Sequence, residues 1–443
     1  MTFIHTHESS GKKYTFYDKK LSSNTNNIFT ILVGKNGSGK SRLLNSLIMR
    51  RLKDEKYVLA FSNSMYHKFP QLRTYGSKYY CYANYQGLQK NFSYCDALNK
   101  LIDYKLIEIL DQKNLFDVSP ILQYKDWSIR TLIPLLMLKL KQDPIREHLL
   151  DKILLFLDFD KNLHITFNKN KKNSDFFMGT YNNNLLYFEN KTENHEILKQ
   201  IYLNLCDSKL TDYYFPLASN LKSFSSLSYG IALGLWNIKK IDFTKKNHKV
   251  SYRDLSSGET SFLTLGLFLL IFLENDSLVC IDEPEINLHP EWQNQVLNFL
   301  NSVFSNFENC HFFIATHAPQ IVSGTDYLHT YIHNLEKNET YSIDHFKNRS
   351  SDFQLSEIFN FPGNNNEYLI RKLIIILNKF NIEFKPEKAI RENDKFILVD
   401  TNGLRYTPKC INENNVIEII DHHRKEGWDN NNIKMQIEFV RSE

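Results

Sequence analysis

Apolar residues fall along this chain in short continuous blocks, separated by segments whose apolar residues recur at helical spacing. The runs IFTILV at 28–33 and YVLAF at 57–61 predict buried strands, and SRLLNSLI at 41–48 predicts a helix between them. Two more apolar runs, at 278–281 and from His311 onward, predict further strands. Strands that alternate with helices predict an α/β fold with a mainly parallel sheet flanked by helices.

Two regions of the chain have a different character. Leu, Ile and Lys recur with helical periodicity from Ala97 to Phe156, and the Asn-rich stretch from Leu163 to Glu189 is strand-like. After about Tyr327 the sequence is again mixed and Asn-rich. We therefore predict two lobes of one α/β unit, a mixed α/β insertion or lid between them, and a C-terminal α+β extension that binds a partner. Their ranges are 1–90 and 246–327 for the lobes, 91–245 for the insertion and 328–443 for the extension.

Composition excludes little. Hydrophobic residues make up 42% and charged residues 23%, which is ordinary for a globular protein, and the net charge of +4 is too mild to indicate nucleic-acid binding by itself. The six cysteines form no Cys-x-x-Cys pair, so no zinc site or disulfide framework is predicted. The N-terminus has no apolar signal core, and the apolar run at 262–273 is shorter than the roughly 20 residues that a membrane span needs. We expect a soluble, cytoplasmic protein without a membrane partner.

The stretch LVGKNGSGKS at 32–41 contains a complete Walker A pattern, Gly-x-x-x-x-Gly-Lys-Ser, between a predicted strand and a predicted helix. Glycines let backbone N–H groups turn toward phosphate oxygens, the lysine reaches the β- and γ-phosphates, and the serine holds Mg²⁺. The sequence therefore predicts a site for ATP and Mg²⁺. Its predicted nucleotide contacts are Gly34, Asn36, Gly37, Ser38, Gly39, Lys40, Ser41 and Arg42.

Two adjacent carboxylates, Asp282 and Glu283, follow the apolar run at 278–281 as in a Walker B motif. Carboxylates at the end of a buried strand are unusual unless a cation is present, although a solvated strand end is the alternative. We expect Asp282 to bind Mg²⁺ and Glu283 to polarise the attacking water. His317 follows the next predicted strand and fits a γ-phosphate sensor, while a His at a strand end is often merely structural.

The stretch LSSGE at Leu255–Glu259 resembles the signature of the ABC superfamily, LSGGQ, and it lies between Walker A and Walker B as in that superfamily. The resemblance implies that Ser256, Gly258 and Glu259 lie at the γ-phosphate bound to a second subunit. Two ATP molecules would then be sandwiched in a head-to-tail dimer. The departures are Ser257 for Gly and Glu259 for Gln, both of which occur in the non-transporter branch. A helix cap is the other interpretation of Ser256, because Ser-x-x-Glu is capping-box spacing.

The long insertion and the motif DEPEINLHP at 282–290 resemble ATPases of the RecF, SMC and OLD types. FSNSMYHKFP at 61–70, with YQGLQKN at 85–91, resembles bacterial anti-phage ATPases, in particular the ATPase subunit of Septu and Septu-like retron systems. That resemblance implies a dimeric sensor and scaffold in antiviral defence. Its partners would be an effector such as an HNH nuclease and, in a retron, a reverse transcriptase–RNA complex.

Four further residues are less specific candidates. Gln86, chosen over Gln71, is the predicted Q-loop residue beside Mg²⁺. His289 stands where the transporter D-loop carries Asp, so it would line the dimer interface, or it would simply cap a helix. Phe16 or Tyr17 is a candidate for stacking on adenine or for the core.

The tail offers little for nuclease chemistry. OLD-family proteins carry a Toprim domain, which needs a Glu and an Asp-x-Asp, and neither the sequence around Asp400 nor DHHRKEGWD at 421–429 contains Asp-x-Asp. The second stretch is typical of a helix end with cationic residues. We therefore expect no intrinsic nuclease.

The alternative function is a RecF-like DNA-repair ATPase that clamps DNA. The lysines at 239–240, 245–246 and 169–172 would contribute to a basic groove, although charge runs are usually solvated faces. A transport ATPase ranks below both hypotheses because the insertion is long.

Overall fold

The computed structural model describes these residues: 3–17, 27–64, 68–70, 80–84, 87–88, 132–133, 136–137, 139–140, 143, 145–161, 163–169, 174, 200, 202–203, 212–215, 230–231, 235–324, 327, 329–346, 358, 386–392, 395–400, 405–410, 416–421 and 435–438. Its strands are β1 (Thr6–Ser9), β2 (Lys12–Thr15), β3 (Asn27–Val33), β4 (Val58–Ser62), β5 (Tyr80–Asn84), β6 (Gly87–Leu88), β7 (Leu163–Lys169), β8 (Asp212–Phe215), β9 (Trp236–Lys245), β10 (His248–Ser251), β11 (Leu278–Asp282), β12 (Cys310–Ala315), β13 (Thr330–Asn334), β14 (Glu339–Ser342), β15 (Pro386–Glu392), β16 (Lys395–Asp400), β17 (Arg405–Cys410), β18 (Val416–Asp421) and β19 (Met435–Glu438). Its helices are α1 (Lys40–Lys53), α2 (Ile145–Phe156), α3 (Ser257–Phe272), α4 (Pro290–Phe304) and α5 (Pro319–Ser323).

The largest sheet has eight strands in the order β14-β13-β3-β12-β11-β4-β5-β6. The six inner strands are parallel, and β14 and β6 pair antiparallel at the two edges. Every residue of β3, β4, β11 and β12 is buried, which explains why these strands are continuous apolar runs. The predicted α/β fold with a mainly parallel sheet is confirmed.

Helices cover both faces of this sheet. Helix α1 packs Leu44 and Leu47 into a core with Leu32 and Phe313 on one face. On the other face, α3 and α4 share a core in which the rings of Phe262 and Phe299 lie 5.1 Å apart. Helix α3 is buried almost all round because the sheet, α2 and α4 enclose it, which accounts for its nearly continuous apolar sequence.

Strands β7, β8 and β9 of the predicted insertion form a second, antiparallel sheet together with β10, which lies just after the insertion, in the order β10-β9-β7-β8. Of the strand-like stretch from Leu163 to Glu189, residues Leu163–Lys169 form β7, and the rest, apart from Ser174, lies outside the described residues. The hairpin of β9 and β10 leads through a single 3-10 turn, Tyr252–Asp254, into the loop before α3. This sheet is therefore continuous in sequence with the signature motif.

The C-terminal region contains a five-stranded antiparallel sheet, ordered β15-β16-β17-β18-β19. Asp400 is the last residue of β16, and Asp421 is the last residue of β18. The expectation of a helix end around Asp421 is wrong, because Val416–Asp421 pairs antiparallel with both β17 and β19. A short apolar run rich in Val and Ile suits a strand better than a helix.

Strands β13 and β14 follow residue 327 but belong to the eight-stranded sheet, where β13 pairs in parallel with β3. The proposed division at 327 stays a prediction. Among the described residues, no helix is both long enough and apolar enough to cross a bilayer.

Candidate active site

The Walker A loop joins β3 to α1 and depends on glycine at two positions. A Cβ at Gly34 would lie 2.7 Å from the hydroxyl of Ser38, so the loop closes too tightly for a side chain there. Gly39, with φ of 100°, is the N-cap of α1 and makes no side-chain cap, which leaves first-turn N–H groups of α1 for another acceptor. The buried Ser38 hydroxyl also has no hydrogen-bond partner. The free N–H groups of the first turn and the Ser38 hydroxyl are donors that fit a phosphate group.

The tip of the Walker A loop is hydrogen-bonded to a residue that follows β13. The backbone N–H of Lys35 donates to Oε1 of Glu336 at 2.7 Å, just after β13. Asn36, Gly37 and Arg42 are exposed, the first two at the loop tip and Arg42 in the first turn of α1. All the predicted Walker A contacts therefore lie in the loop between β3 and α1 or in the first turn of α1.

Lys40 is only 5% exposed, and its ammonium points into this loop. Its Nζ donates to the carbonyl of Gly34 at 2.8 Å and to that of Lys35 at 3.3 Å. The same Nζ lies 3.3 Å from Nδ1 of His317, which must accept because an ammonium has no lone pair. The structure thus brings the predicted phosphate-binding lysine and the predicted γ-phosphate sensor into contact.

Burial governs the charges of both groups. Burial lowers the pKa of Lys40 to about 8, against the opposing attraction of Glu285, Asp282 and Glu283. Burial, together with the nearby Lys40 charge, lowers the pKa of His317 to about 4. His317 is therefore neutral near pH 7, and Lys40 remains mostly charged.

Asp282 ends β11, beside the Walker A loop, and is only 1% exposed. Burial raises its pKa to about 6, although a hydrogen bond with the Ser41 side chain lowers it. Its Oδ1 is buried without a hydrogen-bond partner. A hydroxyl beside an unsatisfied carboxylate oxygen, next to a glycine loop, is a donor set that fits Mg²⁺ on a triphosphate.

Glu283 lies in a strained turn directly after Asp282. Its φ is 52°, a conformation that costs a non-glycine residue of the order of 1 kcal/mol, and its N–H donates to the carbonyl of Ala315 at 2.9 Å. This bond ties the end of β11 to the end of β12. Glu283 is half-buried and acts electrostatically on Asp282, so both predicted carboxylates share one site.

A third carboxylate, Glu285, belongs to this cluster and was missed in the sequence. Its Oε1 accepts a 2.6 Å hydrogen bond from the N–H of His317, and the Thr316 hydroxyl also bonds to it. Burial raises its pKa to about 7 in spite of these bonds, and its Oε2 has no partner. The only signal in the sequence was a second acid two positions after Glu283 in DEPE.

Asn63, directly after β4, was also missed. Its Nδ2 donates to the Ser261 hydroxyl in α3 at 2.8 Å and to the carbonyl of Pro284 at 2.9 Å. Its N–H donates to the carbonyl of Asp282 at 3.3 Å. Asn63 therefore fastens the turn after Walker B to the helix that begins at the signature.

The signature residues form the N-terminus of α3. Ser256 is the N-cap, and Glu259 completes a capping box, with N–H of Glu259 donating to Oγ of Ser256 at 3.2 Å and N–H of Ser256 donating to Oε2 of Glu259 at 2.9 Å. Gly258 is buried against Trp292, whereas Ser256 and Ser257 are exposed. Over the described ranges, the side-chain hydrogen bonds of Ser256, Ser257 and Glu259 reach one another, Lys245 and Asn287, and none reaches the Walker A loop.

The less specific candidates have mixed outcomes. Gln86 and Gln71 lie outside the described residues. His289 is the N-cap of α4, where Nδ1 accepts from the N–H of Glu291 at 3.4 Å, as its helix-capping interpretation requires. Phe16 is fully buried in the core against Phe313, so it cannot stack on a nucleotide, and Tyr17 is half-buried against His5.

Two lysines of the suggested basic groove are already paired. Lys240 lies 2.9 Å from the Asp242 carboxylate, and Lys245 lies 3.1 Å from that of Glu259. Lys239 and Lys246 are exposed, and residues 170–172 lie outside the described part of the chain.

Comparisons with known proteins agree with an ATPase. The sequence profile of a family described as "AAA domain, putative AbiEii toxin, Type IV TA system" matches residues 128–323, which include the signature, Walker B and His317. The "Retron Ec83 probable ATPase" of Escherichia coli is 29% identical over 141 residues, covering 28% of this chain and about a quarter (26%) of that protein's length. A crystal structure of the Smc head domain from Pyrococcus furiosus aligns over 72% of this chain and 91% of its own, at 11% identity and a TM-score of 0.27, which is too low to carry an argument. The fold and these matches together support an ATPase domain.

Proposed function

We propose that this protein binds ATP with Mg²⁺ and hydrolyses it. The observation that carries the proposal is the meeting of Lys40, the Ser41–Asp282 pair, Glu283 and His317 at the carboxyl ends of β3, β11 and β12. These strands are neighbours in the parallel sheet, and the carboxyl ends of such strands are where α/β proteins bind ligands.

Each residue has a distinct part in this proposal. Lys40 and the N–H groups of the loop hold phosphate oxygens, and Ser41 with Asp282 would hold Mg²⁺. The bound Mg²⁺ would neutralise charge on the β- and γ-phosphates. Glu283 orients the attacking water and accepts its proton. His317, which is neutral near pH 7, offers a hydrogen bond at the same place.

We further propose that ATP closes two copies of the chain into a head-to-tail dimer. Ser256 and Ser257 are exposed at the start of a 16-residue helix, so they are available to a second subunit. Nothing in the described hydrogen bonding directs them to the Walker A loop of their own chain. The N-terminus of such a helix favours negative charge, as a γ-phosphate from the partner would supply.

The relatives favour a role in defence. One is an ATPase of a retron, and the matching family is described through a toxin of a toxin–antitoxin system. We propose that the chain is the ATP-dependent sensor and scaffold of an anti-phage system, similar to the ATPase subunit of Septu-like retrons. In this proposal the C-terminal region, 328–443, binds a separate effector such as an HNH nuclease, with a reverse transcriptase–RNA complex as a further partner.

Light scattering of purified Glu283→Gln protein tests the proposal. This variant should bind ATP without hydrolysing it, so it should shift from monomer to dimer or a larger assembly with ATP and not with ADP. The same measurement with duplex DNA at low and moderate salt tests the DNA clamp, because clamping by lysines fades as salt rises. A Glu283→Gln protein that hydrolysed ATP at the wild-type rate would refute the role of Glu283.

A further inference from the structure

The signature of this chain carries an acid, Glu259, where the usual ABC pattern has glutamine. The carboxylate uses both oxygens inside the chain. Oε2 accepts from the N–H and the hydroxyl of Ser256, at 2.9 Å and 2.8 Å, and Oε1 accepts from Nζ of Lys245 at 3.1 Å. The acid is therefore fixed one helical turn from the exposed start of the signature and is paired with one cation.

Lys245 is the last residue of β9 and is held in place by more than this one bond. Its Nζ lies 5.3 Å from the centre of the Phe159 ring, 3.5 Å from the carbonyl of Leu157 and 3.9 Å from the Asp158 carboxylate. These partners belong to the segment between α2 and β7, so the lysine joins the insertion to the signature. Its side chain is 32% exposed, and that of Glu259 is 16% exposed, so the pair is only partly open to solvent.

The pair has an electrostatic consequence for the proposed dimer. Burial alone would raise the pKa of Glu259, but the bonds from Ser256 and the Lys245 charge more than offset it, so its pKa is lowered and the side chain is an anion near pH 7. An uncompensated carboxylate there would repel a phosphate that approaches Ser256. A cation placed on Oε1 cancels most of that repulsion.

We propose that Lys245 is a positioning residue for the signature, which neutralises Glu259 so that the motif can accept the γ-phosphate of ATP bound to a second copy of the chain. The inference rests on the proposed ATP-dependent dimer. It also assigns the insertion a part in dimerisation, because the strand that carries Lys245 belongs to the insertion sheet.

Sedimentation velocity on proteins that also carry Glu283→Gln tests this inference, with ATP and with ADP. Lys245→Met should weaken the ATP-dependent dimer by about tenfold, since like charges left facing each other across an interface disfavour association. Adding Glu259→Gln to Lys245→Met should restore most of the loss, because glutamine keeps the capping box but carries no charge. Lys249→Met, at an exposed position of the same sheet in β10, is the matched control and should dimerise like the parent.

The outcomes separate the inference from the function on which it rests. A parent protein that stays monomeric with ATP overturns the proposed dimer and this inference with it. A parent that dimerises while Lys245→Met behaves like Lys249→Met overturns the inference alone. If the double variant stays as weak as Lys245→Met, Lys245 acts through packing and the charge argument is refuted. Binding of a fluorescent ATP analogue to the dilute monomer shows whether each variant keeps its own nucleotide site.

Discussion

The backbone N–H of His317 donates a 2.6 Å hydrogen bond to Oε1 of Glu285, which fastens the turn after β12 to the turn after β11. A second bond, from the N–H of Glu283 to the carbonyl of Ala315 at 2.9 Å, joins the turn after β11 to the last residue of β12. The proposed water-activating acid and the proposed phosphate sensor therefore belong to one rigid unit. The carboxylate of Glu285 is buried in this unit, and burial costs free energy when that carboxylate is charged.

Glu285→Gln should remove the cost of burying this charge, and the effect on stability should depend on pH. The pKa of Glu285 is raised from 4.5 to about 7 by burial, so the folded state holds its proton more tightly than the unfolded state. Its stabilising contribution is complete below about pH 4.5 and is lost as the pH rises through 7. The free energy of unfolding of Glu285→Gln minus that of wild type should therefore rise by about 1 to 3 kcal/mol as the pH is raised from 5 to 8.

Urea unfolding of both proteins at pH 5 and pH 8 measures this difference. Comparing the two proteins removes the contributions of the buried histidines, whose lowered pKa values give the opposite trend. Glu308→Gln, at an exposed position, is the control and should show no such pH dependence. A stability difference between Glu285→Gln and wild type that is the same at both pH values would contradict the burial argument.

Lys40→Met should abolish ATP binding. The ammonium is buried in the Walker A loop, where Asp282, Glu283 and Glu285 attract it. Without Lys40, phosphate oxygens would meet these carboxylates with no ammonium between them, so affinity for a fluorescent ATP analogue should fall by at least about 100-fold. Lys53→Met, in the last turn of the same helix, should bind ATP like wild type. Retained binding by Lys40→Met would rule out this loop as the phosphate site.

Features that depend on neighbouring residues could be predicted from the sequence. The glycine spacing of the Walker A loop and the capping box of Ser256 and Glu259 are local patterns, and the structure has the expected turn and helix start at both. Buried strands such as β3 and β11 were found within about one residue, because a strand covered on both faces is apolar throughout.

Features that depend on distant pairing could not be predicted. Asn63 contacts Ser261 in α3, and Lys245 reaches Glu259 only because β9 turns back against β10 before α3 begins. The sequence around Asn63 and around Lys245 does not distinguish these residues from solvent-exposed polar residues. The segment VIEIID that forms β18 was mistaken for a helix end because so short a segment fits both structures until its partners are known.

Asn63→Ala should destabilise the junction between Walker B and the signature helix. The side chain is 3% exposed, and its removal would leave the carbonyl of Pro284 and the hydroxyl of Ser261 without this donor in a buried place. The expected loss is about 2–3 kcal/mol in free energy of unfolding by urea, since unsatisfied buried groups carry their full desolvation cost. Asn298→Ala, exposed on α4, should change stability by less than about 0.5 kcal/mol. Equal stabilities of the two variants would show that Asn63 makes no net contribution.

Ser256 has two possible functions, as a helix cap and as a phosphate ligand, and one pair of substitutions separates them. Ser256→Ala should cost about 1 kcal/mol in stability, because the N-cap bond to Glu259 is lost. Ser256→Asp should keep the N-cap bond from the N–H of Glu259, since aspartate caps helices as well as serine does, but it loses the hydroxyl that donates to Oε2 of Glu259. The same Ser256→Asp places a second carboxylate beside Glu259 at the exposed start of α3, where Lys245 can compensate only one. In the Glu283→Gln background it should therefore lose the ATP-dependent dimer in light scattering while Ser256→Ala, though less stable, keeps part of it. If Ser256→Asp dimerised with ATP as readily as its parent, Ser256 would be a helix cap alone.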